Sequence, residues 1–248
     1  MPSLPEVTLS EHQGVRYLHL GDTPWVQGAM WLRKPQALVL EYVQRMMVWM
    51  LWRDRADVAH GHAVQLGLGA GSLTRFCHGV LRMDRVTAVE LNPGVIAAGH
   101  QAFRLPLDDP RLALVQADAG AWAAEPAHAA VAQVLNVDLY DHEAAAPVID
   151  SAAFYADCRR VLAPGGVMTV NLFGRHASFE ASAARIAHAF GRDQVWRVRP
   201  TREGNTVVVA ARGVEVPDRA TLLDRARGVE ALCGLPARKW LRLVQALG

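Results

Sequence analysis

The stretch "HAVQLGLGAGSLTRF", residues 62–76, runs from a short apolar segment, Val64 to Leu66, straight into Gly67-Leu68-Gly69-Ala70-Gly71 and then into a helix-compatible segment. Glycines just after a strand allow a tight turn and let a ligand approach the backbone closely. In an open parallel sheet, ligands bind beyond the carboxyl ends of the strands, which is where these glycines would stand. A carboxylate ending the next strand can grip two ribose hydroxyls, and Glu90 in "VTAVELNP" stands at the required spacing of about 20 residues. Strand, glycine loop, helix and acid in this order predict a nucleoside site.

Working outward, strand-like segments ("AVQLGL", "RVTAVEL", "LALVQAD", "VAQVLNVDL", "GVMTVNLF", "VWRVRP", "TVVVAAR") alternate with helical ones ("SLTRFCHGVL", "PGVIAAGHQAF", "AAFYADCRRVL", "SFEASAARIAHAF") from His62 to Arg212. The expected fold class is α/β: a Rossmann-like, doubly wound, seven-stranded sheet, mainly parallel, with helices on both faces. Only "TREGN" separates the last two strands, too little for a parallel crossover, so they should close the sheet as an antiparallel C-terminal hairpin. Ahead of this, "VTLSE", "VRYLHL" and "WVQGAMWL", punctuated by Gly14, Gly21-Asp22 and Pro24, predict a small N-terminal β unit. Residues 37–52, "ALVLEYVQRMMVWMLW", are apolar nearly all round but are interrupted by Glu41, Gln44 and Arg45. They are too short for a span of about 20 apolar residues, which predicts a helix buried in the protein or in a subunit interface. The tail from Asp218 reads as two helices broken at Gly234 and Pro236. The expected division is 1–36 for the β unit, 37–212 for the nucleoside-binding domain and 213–248 for a helical tail.

The bulk numbers exclude some classes. The chain has 248 residues, half of them hydrophobic, and a formal charge of +2 with its basic residues dispersed, so no nucleic-acid footprint is expected. Cys77, Cys158 and Cys233 are an odd number with no metal-ligand spacing, which predicts a reducing, cytoplasmic setting and no metal. "MPSLPEVTLSEHQG" lacks the basic start and apolar core of a secretory signal, and no membrane partner is expected. His60 and His62 read first as a solvated strand start and second as metal ligands. The unperturbed pKa of an imidazole lies near neutrality, so His142, beside the paired acids, would serve as a base if it faces the pocket.

The type of nucleoside is narrowed by position 72. A Gly-x-Gly-x-x-Gly dinucleotide loop would place a glycine there, and the residue is Ser72. Gly67-x-Gly69-x-Gly71 instead resembles the first motif of class I S-adenosylmethionine-dependent transferases. "VQADAGAW" ends a third strand in Asp118, and "VLAPGGVMTVNLF" resembles the same family's approach to its fifth strand, with Pro164-Gly165-Gly166 making the turn. The resemblance sharpens at "VLNVDLYD", residues 134–141. Spermidine synthases and related aminopropyltransferases carry two aspartates three apart after the fourth strand, here Asp138 and Asp141. The flanks "WVQGAM", "EYVQRMM" and "AFYADCRRVLAPGGV" are similar to that family as well, over a span from about residue 7 to residue 212.

This resemblance implies a co-substrate, decarboxylated S-adenosylmethionine or S-adenosylmethionine, with no metal. Gly67, Gly69 and Gly71 would lie beside its methionine-derived part, Glu90 on its ribose, and Asp118 with Ala119 at its adenine. An alkyl ammonium has a pKa of about 10 and must lose a proton before it can attack. The resemblance gives Asp138, next to the nucleoside, the task of taking that proton or orienting the amine, and gives Asp141 the task of holding the acceptor. Tyr42 and Tyr140 would line the amine channel. A homodimer is implied too, with Trp25, Trp31, Trp49 and Trp52 as exposed apolar contact area.

Three departures touch amine recognition and none touches adenosine recognition. Ala70 stands where the family aspartate contacts the donor's amino group. The family follows the acidic pair with Pro-x-Gly-Pro, where "DHEAAAP" stands here, and Arg202 stands where a hairpin tyrosine would hold the polyamine. Three readings follow. The first is aminopropyl transfer to a small-molecule amine. The second is methyl transfer from intact S-adenosylmethionine on the same scaffold, with Gln27 and Gln44 as amide donors for its carboxylate. The third is a degenerate binding subunit. Fold alone does not choose among them.

Overall fold

The structure, a computed structural model, describes residues 4–22, 25–140, 149–173 and 176–247, with the side chains of residues 176 and 177 left aside. Strands β1 (Val7–His12), β2 (Val15–Leu20) and β3 (Gly28–Trp31) form a small antiparallel sheet in that order. The main sheet holds β4 (His62–Leu66), β5 (Arg85–Glu90), β6 (Leu112–Gln116), β7 (Ala132–Val137), β8 (Leu162–Phe173), β9 (Val195–Val198), β10 (Asn205–Ala211) and β11 (Val244–Ala246). Their spatial order is β11-β9-β10-β8-β7-β4-β5-β6. From β6 across to β8 the pairing is parallel, and β10, β9 and β11 add antiparallel pairs.

The seven expected strands are present, and the described sheet has an eighth. The tail does form two helices, α7 (Arg219–Cys233) and α8 (Ala237–Leu241), joined through Gly234 in the left-handed region at φ +72°. Beyond them Val244–Ala246 pairs with β9. That strand is only three residues long, too short for an alternating pattern to announce it. The remaining helices are α1 (Glu41–Met46), α2 (Ser72–Arg75), α3 (Pro93–Gln101), α4 (Ala119–Ala124), α5 (Ala152–Val161) and α6 (His176–Phe190). Sequence patterning missed α4, whose six residues start from the N-cap carboxylate of Asp118. Pro164-Gly165-Gly166 does make the chain loop out, but inside β8 rather than ahead of it: Leu162 pairs with Ala132 and Val167 with Val134, so three extra residues bulge from the ladder, with Gly165 at φ +77°.

Residues 37–52 are a buried element of a different shape from the one expected. The chain is extended at Leu40, helical in α1, and then winds more tightly as a 3-10 helix over Met47–Leu51. Six consecutive side chains, Met46 to Leu51, are fully buried. That is why the segment is apolar all round: it lies between the sheet and the C-terminal helices, packed with Val134, Val167, Val207, Val229 and Trp240. Glu41 opens the helix and pairs with Arg45 one turn later, at the ends of the helix dipole each favours. Trp49 and Trp52 are therefore core residues, and Trp52 packs on Trp196 with ring centroids 5.0 Å apart. Of the four tryptophans expected at the surface, Trp25 and Trp31 are exposed.

The second face of the sheet is covered by α4, α5 and α6 through Trp122, Phe154, Tyr155, Ile186 and Phe190. A third apolar cluster joins the small sheet to α3, with Leu18 and Met30 against Val95 and Phe103. This last contact holds the β unit beside the glycine loop.

Candidate active site

The carboxyl edge of the sheet carries the site. β7, β4, β5 and β6 lie side by side, and at or just past their ends stand Asp138, Gly67, Glu90 and Asp118 in the same spatial order. β8 ends beyond Asn171, and β10, running the other way, begins there with Asn205. These six residues line a single cavity of about 800 Å³ together with Tyr42, Ala119, Leu139 and Tyr140. That is the size of a site for a drug-sized ligand.

The glycines also serve the packing of the protein itself. All three have positive φ: +90° at Gly67, +50° at Gly69 and +67° at Gly71. A Cβ built on Gly67 collides with the backbone oxygen of Asp138, and one on Gly69 lies 2.6 Å from the backbone oxygen of Gln27. At Gly71 it would press on Leu105 at 3.0 Å, and Gly71 itself caps α2 rather than lining the cavity. So the glycines let protein segments approach one another, while the backbone of Gly67 and Gly69 still faces the cavity. Ala70 is buried, and a Cβ on Gly28 would meet its methyl group at 2.6 Å. The place of the family aspartate is thus a methyl group packed against β3.

Glu90 is fixed by two backbone amides. Leu68 N donates to Oε2 at 3.0 Å and Asn92 N to Oε1 at 2.9 Å, leaving further acceptor capacity on each oxygen for a diol. Asp118 accepts from Ala121 N at 2.8 Å through Oδ1, which leaves Oδ2 free of that bond.

Asp138 is clamped from two sides. Tyr42 donates its hydroxyl hydrogen to Oδ2 at 3.2 Å, and Asn171 Nδ2 donates to Oδ1 at 2.9 Å. Burial raises the carboxyl pKa, and these two donors oppose that rise. Burial and then the charge of Asp138 push the Tyr42 phenol well above its ordinary range, and Tyr140 shifts the same way for the same reasons. Both phenols therefore stay neutral. Tyr140 donates to the backbone oxygen of Asn171 at 3.0 Å and accepts from Phe173 N, so its ring lines the cavity while its hydroxyl is used in holding β8. Asp141 and His142 lie outside the described residues.

Sequence reasoning missed Asn171, Asn205 and Glu203. A signal existed: Asn171 and Thr169 interrupt the apolar strand "GVMTVNLF", as Gln65 and Asn136 interrupt theirs. Gln65, Asn136 and Thr169 join in a buried ladder, with Asn136 Nδ2 donating to Gln65 Oε1 at 2.8 Å and Thr169 Oγ1 to Asn136 Oδ1 at 2.6 Å. The hairpin offers the cavity Asn205 and, at its exposed rim, Glu203, whereas Arg202, equally exposed, is not in the lining. The charge expected to repel an amine is therefore not in the lining, and an acid two residues before Asn205 is. Gln27 lines the cavity, whereas Gln44 Nε2 donates to Leu38 O at 3.0 Å outside the lining. His62 is not a solvated residue: it is buried, 2.8 Å from Thr87 Oγ1, and its pKa is lowered to about 4 chiefly by that burial.

No family model matches the sequence. Curated relatives do. A polyamine aminopropyltransferase of Neisseria meningitidis serogroup A is 31% identical over 243 residues, spanning 94% of this chain and 90% of its own length. The polyamine aminopropyltransferase of Chromobacterium violaceum is 33% identical over 234 residues, spanning 94% and 87%. Among solved structures, a probable spermidine synthase from Corynebacterium glutamicum superposes with a TM-score of 0.73 at 21% identity, covering 99% of this chain and 95% of that one. Human methyltransferase-like protein 13, solved with SAH, gives 0.69 at 21% identity over 79% and 93%. A spermidine synthase in complex with the transition-state analogue AdoDATO gives 0.58 at 16% identity over 90% and 77%. At these identities the solved structures speak for the fold.

Proposed function

The chain belongs to the polyamine aminopropyltransferase family, and on that premise we propose that it moves the aminopropyl group of decarboxylated S-adenosylmethionine to an aliphatic amine held at Asp138. One observation carries this reading over methyl transfer. Among the described residues lining the cavity are five carboxylates, Glu41, Glu90, Asp118, Asp138 and Glu203, and no Lys, Arg or His. Glu41 is already paired, 2.7 Å from Arg45 and 3.5 Å from Lys239, but the other four face the cavity without a basic partner among the ion pairs found. Decarboxylated S-adenosylmethionine carries a sulfonium and an ammonium, and the acceptor is a cation too. Intact S-adenosylmethionine adds a carboxylate that finds no basic side chain there.

In the reaction, the lone pair of the amine nitrogen attacks the aminopropyl carbon bonded to sulfur. The carbon–sulfur bond breaks, its electron pair stays on sulfur, and neutral methylthioadenosine leaves without needing an acid. The amine must arrive deprotonated. Asp138, held by Tyr42 and Asn171, is placed to take that proton, with its burial bringing its pKa closer to the task. Glu90 and Asp118 fix the nucleoside so that carbon and nitrogen stand in line, which supplies much of the rate. We assign Asp141 to the acceptor's ammonium by resemblance alone, and Gly67, Gly69 and Ala119 to contacts with the nucleoside.

Three parts divide the work. Residues 1–36 supply one wall through Pro5, Leu18, Trp25 and Gln27. Residues 37–212 carry nucleoside and acids. Residues 213–248 buttress α1, with Trp240 in the core and Lys239 on Glu41. No described helix is long and apolar enough to cross a membrane. We place the protein in the cytoplasm as a homodimer whose contact uses Trp25 and Trp31.

The test is product analysis. Purified protein with decarboxylated S-adenosylmethionine and a panel of aliphatic diamines should release methylthioadenosine in step with an aminopropyl adduct, seen by mass spectrometry. Methylated product from S-adenosylmethionine, with no aminopropyl adduct from any diamine, would overturn the proposal.

A further inference from the structure

We infer that Asn205 is a positioning residue for Asp138, acting through Asn171 to keep that amide turned donor-first toward the acid. The inference rests on the reading of Asp138 as the group that handles the amine. An ionised carboxylate only accepts hydrogen bonds, so the side of Asn171 that faces it must be the N–H side. Asn171 Nδ2 donates to Asp138 Oδ1 at 2.9 Å. The Asn171 oxygen then points away, and Asn205 Nδ2 donates to it at 3.1 Å. Asn205 is held in turn by the hairpin. Its backbone N donates to Thr201 Oγ1 at 3.2 Å, and its backbone O accepts from Thr201 N at 2.8 Å, with Thr201 buried. The hydrogen-bond line thus runs from the closed end of the β9–β10 hairpin to the acid.

What the line prevents is the reverse arrangement. A protonated Asp138 needs an acceptor for its O–H. An unrestrained Asn171 meets that need by turning its amide over and presenting oxygen, which stabilises the protonated form and raises the pKa. With Asn205 in place, the turned amide sets N–H against N–H. The protonated acid is denied its acceptor, and the carboxylate keeps its donor. The other groups facing Asp138 leave room for such a device. Tyr42 from α1 donates to it, Tyr140 lies beside it with its hydroxyl used elsewhere, and Glu41, Glu90, Asp118 and Glu203 share the cavity. Burial favours the protonated form of Asp138, so its donors decide whether it is ionised when the amine arrives.

The test reads Asp138 directly, in the unliganded full-length chain, by carbon-13 NMR of aspartate carboxyls, with the Asp138 resonance assigned by its loss in Asp138→Asn. Asn205→Leu should raise the midpoint by roughly half to one pH unit, and isosteric Asn205→Asp by more. Asn171→Leu should raise it as well, and in that background Asn205→Leu should add nothing, because the effect passes through Asn171. Asn205→Ala takes the place of the leucine variant if the latter does not fold. An unchanged midpoint in the uncharged Asn205 variants overturns the inference. So does an equal increment with and without Asn171, and so does a shift confined to Asn205→Asp, which is through-space charge. No substrate enters the titration, so its outcome is separate from whether an aminopropyl group is transferred.

Discussion

The Tyr42 hydroxyl, on the buried helix α1, donates to Asp138 Oδ2 at 3.2 Å across 96 positions of sequence. The contact ties the buried segment beneath the C-terminal helices to the acid at the end of β7. It also gives Tyr42 a part in the site rather than only in the core, although its ring packs against the core as well.

Tyr42→Phe keeps the ring and removes one of two donors to Asp138. A hydrogen bond to a charged group contributes about 1.5–3 kcal/mol, so kcat/KM for the amine should fall by roughly tenfold or more. Because the lost donor favoured the ionised acid, the acid limb of the pH–rate profile should move to higher pH. A profile identical to wild type would remove Tyr42 from the site.

Asp138→Asn should leave nucleoside affinity within about twofold while lowering turnover by roughly 10²-fold or more, as loss of a proton acceptor does. Burial raises this carboxyl's pKa above its unfolded value, so its contribution to stability is present below the unfolded pKa and is lost as pH rises through the folded one. The neutral amide of the Asp138→Asn variant escapes that loss. The melting temperature of the variant should exceed wild type at pH 7–8, by about 2–4 °C for each kcal/mol of burial cost removed, and the gap should close toward pH 4. Calorimetric melts at the two pH values read this directly.

Glu90→Gln should weaken methylthioadenosine binding by about 10²-fold or more in calorimetric titration, since charge-assisted bonds to the ribose are weakened and the amides of Leu68 and Asn92 lose a charged acceptor. Unchanged affinity would put the nucleoside elsewhere.

Glu203→Gln should raise KM for a diamine several-fold with kcat nearly preserved, because the acid faces the cavity while lying two residues from the hydrogen-bonded line to Asp138. Arg202→Ala, outside the lining, should change neither constant. The reverse pattern in steady-state kinetics would restore Arg202 to the site.

His62 predicts the acid limit of stability. Burial lowers its pKa from 6.5 to about 4, so the neutral form's contribution is present above pH 6.5 and is lost as pH falls through about 4. His62→Gln should flatten that part of the curve, a loss on the order of 3 kcal/mol in wild type, measured by urea unfolding between pH 7 and pH 4.

What the sequence made legible follows from where its signals come from. Buried parallel strands read as apolar runs with turns between them, so β4 to β10 were visible, and Glu90, Asp118 and Asp138 stood out as acids ending such runs. The short β11 and α4 carry too few residues for a period. The start of α1 was misplaced because Leu38, Val39 and Leu40 are apolar for a different reason: Leu38 is in the core, and Val39 and Leu40 line the cavity in extended chain. The packing reason for the glycines is not legible in the sequence, since their close neighbours, Asp138 O and Gln27 O, come from distant segments. Arg202 and Glu203 are adjacent exposed residues of one turn, and no local pattern tells which of them borders the cavity.

The most direct measurement is calorimetric titration of the purified protein with S-adenosylmethionine and, separately, with its decarboxylated form. An acid-lined cavity with no basic lining residue among those described predicts clear preference, tenfold or more, for the decarboxylated form; a 1.4 kcal/mol difference suffices for that factor. Equal affinity, or preference for intact S-adenosylmethionine, would contradict aminopropyl transfer at this site.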